Sequence, residues 1–455
     1  MEKQSGITKE TLLNLKEKLK DGVLPQWVLA DRDMYDLEIK QVFGKTWQFL
    51  AHESELKEPG SYVTRWIAND PILLTKTKSG EVKAFLNSCT HRGTLLCTAD
   101  SGKQKSFTCP FHGWTYNNEG DLVGIAVGNK VYGEEMNKED WNLRPVPNID
   151  SYQGMIFGNL DPNSESLSDY LGNMKWYLDM MLGRSDGGME VQGSPQRYVV
   201  EANWKVTAEN FESDPYHVQF THKSSKELGI APNDPFFPGH GHQVILDNGH
   251  GINLVQLDDT GISPIPYQGM PESMWPMFQK NLNKEQNDMV KDTFFVGGVY
   301  PNLGFLQFTF PLLDSDNGFY NFLNFRVWRP LAPDKVEVWS WHLIDKDAPQ
   351  EYKEKSYVSF LSTFGPSGLL EQDDAEIWSR VTQASNGIMA QDKDLSYNSF
   401  LNYLMGMDRV QPNEDFPGPG VAYPLCFLDT LSRSMHKRWI DLLLAETPVK
   451  EEVRK

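Results

Sequence analysis

Residues 203–222 read NWKVTAENFESDPYHVQFTH, and this stretch gathers two imidazoles and a carboxylate within a few positions. Imidazole and carboxylate together, with some positions left free, suit a non-haem Fe(II) centre that must also hold O₂. At 100° per residue, His217 and His222 fall about 140° apart on an ideal helix, so one regular face cannot present both. The backbone must loosen between them. Pro215 fits that picture: it disfavours the α conformation at Asp214 and serves well as the first residue of a helix, which leaves Asp214 at the break. Plainer readings stand beside this one. Asp214 before Pro215 is a good helix N-cap in any protein, and a histidine such as His217 is commonly a satisfied interior or surface residue. The rest of the chain has to decide.

Working outward, 455 residues allow two or three domains with ample buried core. The formal charge of −19 argues against nucleic acid, whose phosphates would be repelled, and against polybasic attachment to anionic lipid. It suits a positively charged protein partner. The N-terminus, MEKQSGITKE, has no apolar centre for a signal peptide, and no apolar run reaches the roughly 18 residues that a membrane span needs. A cytoplasmic protein is expected. Four cysteines occur, two of them paired with histidines, so metal ligands in a reducing compartment fit better than a disulfide framework.

A helical pattern covers residues 8–20, where Leu12, Leu15 and Leu19 share a side and Gly22 follows as a stop. A second helix is expected over residues 33–43, closed by Gly44. From Trp47 to about Asp161 short apolar runs alternate with Gly, Pro, Asn and Ser, which predicts a small antiparallel β domain. Beyond it, SLSDYLGNMKWYLDMML reads as a helix and RYVVEANW as a strand feeding the histidine stretch. Strands follow at GFLQFTF, GFYNFLNFRVWRPL and KVEVWSWHLI, then helices over residues 350–364 and 368–385. The expected fold class is α+β, with helices packed on an antiparallel sheet. The expected division is residues 1–44 as N-terminal helices, 45–165 as the small β domain and 166–455 as a larger domain.

Inside the β domain stand Cys89-Thr90-His91 and Cys109-Pro110-Phe111-His112. Two thiolates and two imidazoles can hold a structural zinc, as in a zinc ribbon, or a [2Fe–2S] cluster in which histidines replace two cysteines on one iron. The local sequence, CTHRG and CPFHGW, favours the cluster: glycine lets the backbone turn tightly, so that N–H groups can point at bridging sulfides. Histidine ligation raises the reduction potential, and such a centre can accept an electron from a ferredoxin. Cys97 and Cys426 read as small buried hydrophobes.

With these motifs in hand, the chain resembles the large (alpha) subunit of Rieske non-haem iron aromatic-ring-hydroxylating dioxygenases of the naphthalene, biphenyl and polycyclic-hydrocarbon type. The resemblance spans nearly the whole chain and rests on CTHRG with CPFHGW, then NWKVTAENFESDPYHVQFTH, then GPSGLLEQDDAE, in that order. It implies a Rieske domain followed by a helix-grip, START-like catalytic domain. It implies that Cys89, His91, Cys109 and His112 bind the [2Fe–2S] cluster and that His217, His222 and Asp374 bind the mononuclear iron. Only the family register prefers Asp374 to Asp373; read from the residues alone, Asp373, Asp374 and Glu376 are a solvated acidic turn. The resemblance also implies that Asp214 bridges His112 of one subunit to His217 of the next, in a catalytic trimer, and that Asn210 lies near the iron without being a regular ligand.

The implied reaction is reductive O₂ activation that converts an arene to a cis-dihydrodiol. NADH electrons arrive through a separate reductase and a ferredoxin, since no nicotinamide-binding glycine fingerprint appears here. A small beta subunit and an alpha3beta3 assembly are implied as well. Positions that match the family's pocket, Phe211, Phe294, Val296, Phe364 and Leu370, are all apolar. Naphthalene-type members have polar residues where Phe294 and Val296 stand and a tryptophan where Leu370 stands; the smaller side chain at Leu370 implies room for a larger polycyclic ring. Two alternatives remain: hydroxylation of an aryl carboxylate such as a salicylate, which needs a cation in the pocket, and a Rieske electron carrier without catalysis. His240, His242 and His250 are expected on a surface or pocket-entry loop and not at a metal, because HGH lacks a third convergent ligand. His342 is expected on a strand, and His52 and His436 carry no signal.

Overall fold

The computed structural model describes residues 6–132, 136–228, 240–256, 266–311, 318–393 and 399–445. The chain forms two compact units, Phe43–Leu167 and a larger one made of Met1–Val42 with Ser168–Lys455.

The smaller unit is built from short antiparallel strands. Four of them pair in the order Val82–Leu86, Asp70–Lys76, Ser61–Ile67, Ser101–Lys103. Side chains alternate across a strand, and here the alternation separates two cores. Ile72 and Leu74 pack with Leu50, Val63 and Ile67, while Leu73 packs with Phe85, Phe107, Trp114 and the buried Cys89 and Cys109. A three-stranded sheet, Ser106–Thr108, Thr115–Asn117 and Leu122–Gly124, carries the second cysteine loop.

The larger unit is centred on a nine-stranded antiparallel sheet. Its long middle strands are Thr293–Val299, Leu303–Pro311, Phe319–Ala332 and Lys335–Asp345, paired in sequence order. Helices Trp204–Ser213, Gln350–Phe364 and Thr430–Ala445 pack on it, so the fold is α+β as the sequence implies. Two glycines let the Trp204–Ser213 helix lie close against the sheet. A Cβ at Gly298 would overlap the Glu212 carboxyl, and one at Gly304 would press on Phe211 at 2.8 Å. The helix is held at its start as well. The Asn203 side chain accepts from the Lys205 N–H at 3.0 Å. The buried Glu38 carboxylate pairs with Lys205 and accepts from the indoles of Trp204 (2.8 Å) and Trp439 (2.9 Å). This knot ties N-terminal, central and C-terminal segments together.

Several local expectations need correction. The second helix runs Arg32–Glu38 from an Asp31 cap, and Ile39–Phe43 widens into a π-turn in place of continuing to Gly44. SLSDYLGNMKWYLDMML is two helices, Leu167–Leu171 and Met174–Leu182, because Gly172 takes a left-handed conformation (φ 46°) that ends the first. The RYVVEANW strand stops at Val200, since Asn203 is already a helix cap. His242 lies in the strand Gly241–Ile245 and not in a loop. His250 is fully buried: its Nε2–H donates to the Tyr170 carbonyl at 2.8 Å, and its Nδ1 accepts from the Tyr300 N–H at 2.9 Å. Among the described residues, no helix is long and apolar enough to cross a membrane.

Candidate metal centres and active site

In the smaller unit the two cysteine loops are built alike. The Cys89 N–H donates to the Thr94 carbonyl and the Gly93 N–H returns to the Cys89 carbonyl. Likewise the Cys109 N–H donates to the Trp114 carbonyl and the Gly113 N–H returns to the Cys109 carbonyl. Gly93 (φ 76°) and Gly113 (φ 72°) close these turns in a conformation that other residues adopt at a cost. The two imidazoles meet with ring centroids 4.6 Å apart. His91 stacks on Trp114 at 4.8 Å, and the Tyr116 hydroxyl lies 3.4 Å from the Cys89 sulfur.

The Nδ1 atoms of His91 and His112 are both buried and take no hydrogen bond. Two orphaned imidazole nitrogens beside two buried thiols form a donor set that fits a Cys₂His₂ cluster. Burial pushes the Cys109 thiol up, while the N–H groups of Phe111 and His112 pull it back. Those N–H groups are oriented to stabilise negative charge on sulfur.

In the larger unit the 203–222 stretch breaks where the helical geometry requires. Helix Trp204–Ser213 ends at Asp214, a 3₁₀ turn covers Pro215–His217, a short helix covers Val218–Thr221, and His222 turns the chain again. The Asp214 carboxylate caps the turn by accepting from the His217 N–H at 3.2 Å, and it also lies 3.7 Å from His217 Nδ1. The capping role and the imidazole contact therefore coexist.

His217, His222 and Asp374 each offer one donor atom, all within 4.8 Å of one another. The protonation pattern can be worked out from the partners. His217 Nδ1 faces the Asp214 carbonyl oxygen, which only accepts, so this nitrogen carries the proton. His222 Nδ1 lies 3.4 Å from the Asp373 carboxylate, which imposes the same choice. The lone pair on each Nε2 then points at Asp374 Oδ1, at 3.5 Å from His217 and 3.3 Å from His222. Asp374 Oδ1 is buried and takes no hydrogen bond. Two lone pairs and a buried anionic oxygen aimed at one point repel each other unless a cation lies between them, so the set fits a metal ion. The electrostatics agree. Burial alone would raise the Asp374 carboxyl, yet His222 and His217 hold it below its usual value. Burial opposes charge on His217, but Asp374 and Asp214 carry it up to about 9, so without a metal a proton on Nε2 takes the place of the cation between the imidazole and Asp374.

The acidic-turn reading of residues 373–376 fails for one member. Asp374 is 3% exposed, on the inward face of the helix Leu369–Ser385. Asp373 is half-buried and receives the outer nitrogen of His222 and the Ser224 hydroxyl at 3.1 Å. The neighbour most easily confused with Asp374 thus faces the outer side of a histidine.

A recess of about 620 Å³, its open mouth included, adjoins the triad. Phe211, Phe294, Val296, Phe364 and Leu370 line it together with Asn210 and Asp214. So do Val255, Leu306 and Phe308, which sequence reading did not single out. For the first two the signal is strand pairing: Val255 sits opposite Phe294 and Leu306 opposite Val296. Among the described residues, the lining contains no lysine or arginine. Behind it, fully buried Arg326 lies 4.7 Å from the Phe211 ring and 4.8 Å from the Phe364 ring, paired with Glu371.

Comparison with known proteins accounts for both units. Residues 46–132 match the Rieske [2Fe-2S] domain and residues 189–445 the ring hydroxylating alpha subunit (catalytic domain). The chain is 30% identical to the N,N-dimethyl phenylurea N-demethylase subunit alpha of Sphingobium sp. (strain YBL2), over 96% of this chain and 95% of that protein. It is 33% identical to the large oxygenase component of the naphthalene 1,2-dioxygenase system of Pseudomonas putida, over 84% of each. The crystal structure of naphthalene 1,2-dioxygenase from Rhodococcus sp. bound to indole superposes with a TM-score of 0.91 at 42% identity, covering 96% of this chain and 99% of that one. Proteins of this type use a [2Fe–2S] cluster, a mononuclear iron and O₂, work with ferredoxin and reductase partners, and in some cases carry a beta subunit. This chain is a Rieske-type oxidoreductase and belongs to the aromatic-ring-hydroxylating dioxygenases as their large, or alpha, subunit.

Proposed function

We propose that this chain is the terminal oxygenase that cis-dihydroxylates an uncharged aromatic hydrocarbon, with a polycyclic one as the preferred substrate. The observation that carries the reading is the apolar recess opening on His217, His222 and Asp374, with no lysine or arginine among the described residues of its lining. An arene buried there loses only water contact, whereas a carboxylate would need a partner. Arg326 is the buried cation behind the Phe211 and Phe364 rings, and it is engaged by Glu371. That weighs against an aryl carboxylate.

The balanced reaction takes an arene, O₂, NADH and a proton to a cis-dihydrodiol and NAD⁺. Both oxygen atoms end on adjacent ring carbons, and the two electrons come from NADH through a separate reductase and a ferredoxin. In this reading Cys89, His91, Cys109 and His112 hold the cluster, and His217, His222 and Asp374 hold the iron. The two metal groups supply electron storage and O₂ activation. The protein's own part is to orient the ring and exclude water. Asp214 serves as the link from a neighbouring subunit's cluster: it contacts His217 and keeps 39% of its side chain exposed, open to a second imidazole. An alpha3beta3 assembly in the cytoplasm completes the proposal.

The test is product analysis with iron-loaded protein, a surrogate ferredoxin and reductase, NADH, and a panel from naphthalene to four-ring arenes, plus salicylate and a dimethyl phenylurea. cis-Dihydrodiols from three- or four-ring arenes are expected. Hydroxylated salicylate without dihydrodiols would replace the proposal with an aryl-carboxylate hydroxylase. Formaldehyde release from the urea alone would replace it with an N-demethylase.

A further inference from the structure

Asn210 stands on the wall of the recess with His217, His222 and Asp374. The indole Nε1 of Trp378, which is not among the residues that line the recess, lies 2.8 Å from Asn210 Oδ1. Trp378 is fully buried. An indole N–H can only donate, so the amide oxygen, and not the amide nitrogen, must face it. The usual ambiguity over which way an asparagine points is thereby removed.

We propose that Trp378 is a positioning residue that locks Asn210 with its Nδ2–H₂ edge toward the metal position, making Asn210 a hydrogen-bond donor to whatever acceptor ligand occupies the open positions beside the triad. The proposal rests on the reading of His217, His222 and Asp374 as an iron site. Asn210 in this orientation is not itself a ligand, because a metal binds an amide through its oxygen and that oxygen is turned to Trp378. Trp378 follows Asp374 by four residues on the same helix, so the carboxylate and the indole project from one face. One rigid element therefore sets both the metal's anionic donor and the direction of the amide. Phe211, next to Asn210, and Leu370, one turn before Asp374, line the same recess. The donor edge is accordingly presented in an apolar setting, where a hydrogen bond to an anionic acceptor gains strength.

The experiment uses the full-length, iron-loaded protein and azide as probe. Iron per chain is counted first, then azide affinity is read from the ferric high-spin resonance, and hydrogen peroxide released per NADH is measured with an arene present. Trp378→Phe keeps the ring and deletes the N–H. It is expected to retain wild-type iron while weakening azide binding roughly ten-fold, the scale of one hydrogen bond to a charged group, and to raise peroxide release. Asn210→Leu should weaken azide to the same extent, and the double variant should be no worse than either single. If Trp378→Phe does not fold, Asn210→Asp decides alone. Its carboxylate still accepts from Trp378 but turns an acceptor toward the recess, so azide should bind more weakly than in Asn210→Leu. Unchanged azide affinity in Trp378→Phe at full iron, additive losses in the double variant, or tighter azide binding in Asn210→Asp than in Asn210→Leu overturns the proposal. Wild-type protein without mononuclear iron would instead overturn the underlying site reading, which separates the two failures.

Discussion

Arg326 and Glu371 offer the sharpest energetic test of how the helix Leu369–Ser385 is held. The Arg326 and Glu371 side chains are 0% and 1% exposed and face each other as an ion pair. Arg326 also donates from Nε to Asn324 Oδ1 at 2.7 Å and from Nη2 to the Phe364 carbonyl at 3.2 Å, and the Tyr198 hydroxyl bonds Glu371. Burial pushes the Glu371 carboxyl up and the guanidinium opposes it, so the carboxylate depends on its partner. Arg326→Met strands a buried carboxylate and Glu371→Leu strands a buried guanidinium. Each is expected to cost about 3–5 kcal/mol. Replacing both, as Arg326→Met with Glu371→Leu, takes these partners from the Tyr198 hydroxyl, Asn324 Oδ1 and the Phe364 carbonyl, at about 1–3 kcal/mol each, but the singles carry the same losses between them and the double strands no charge. The pair is therefore expected to be strongly non-additive: the two singles together cost several kcal/mol more than the double. Glu371 precedes Asp374 by three residues on the same helix, so with the proposed iron ligands both singles should also shed mononuclear iron faster. The assay is the urea midpoint, followed by tryptophan fluorescence at fixed pH, protein and iron concentrations. Singles within about 1 kcal/mol of wild type, or a double variant equal to their sum, would refute the argument.

Two further outcomes follow from other groups. His250 uses one nitrogen as donor and the other as acceptor, so it must stay neutral; burial lowers its pKa to about 4 from an unfolded value near 6.5. Its contribution is complete above about pH 6.5 and is lost as pH falls toward about 4, amounting to about 2 kcal/mol by pH 5. His250→Gln should lose that part of the acid sensitivity of the urea midpoint between pH 7.5 and 5, and an unchanged slope would contradict the tautomer assignment. Asp214→Asn preserves the capping preference at the helix break. It is expected to keep iron and cluster occupancy while steady-state turnover collapses, and turnover at the wild-type rate would remove the proposed electron link.

What could be read in the sequence was whatever local chemistry decides. The angle between His217 and His222 forced a break, and Pro215 located it; the structure turns the chain at Asp214 and again at His222. The paired loops CTHRG and CPFHG carried their own geometry, because a glycine four residues after each cysteine closes the turn. Asp374 was a different case, and its helix explains why. The buried residues of Leu369–Ser385 are Leu370, Glu371, Asp374, Trp378, Thr382 and Ser385, a helical stripe at three- and four-residue spacing. A hydropathy reading sends EQDD to the wet face, since carboxylates are seldom buried without partners. Here both buried carboxylates have them, but the partners are remote in the chain: Arg326 for Glu371, and the two imidazoles for Asp374. Burial of an acid is decided by what another element brings to it, which no local window contains. The trace that was present is the flanking pair: Leu370 and Trp378 stand four residues before and after Asp374, on its own face. An acid centred between two large apolar residues at that spacing is directed inward by the helix. It must there meet a cation or a proton, and the two histidines already identified were the place to look for it.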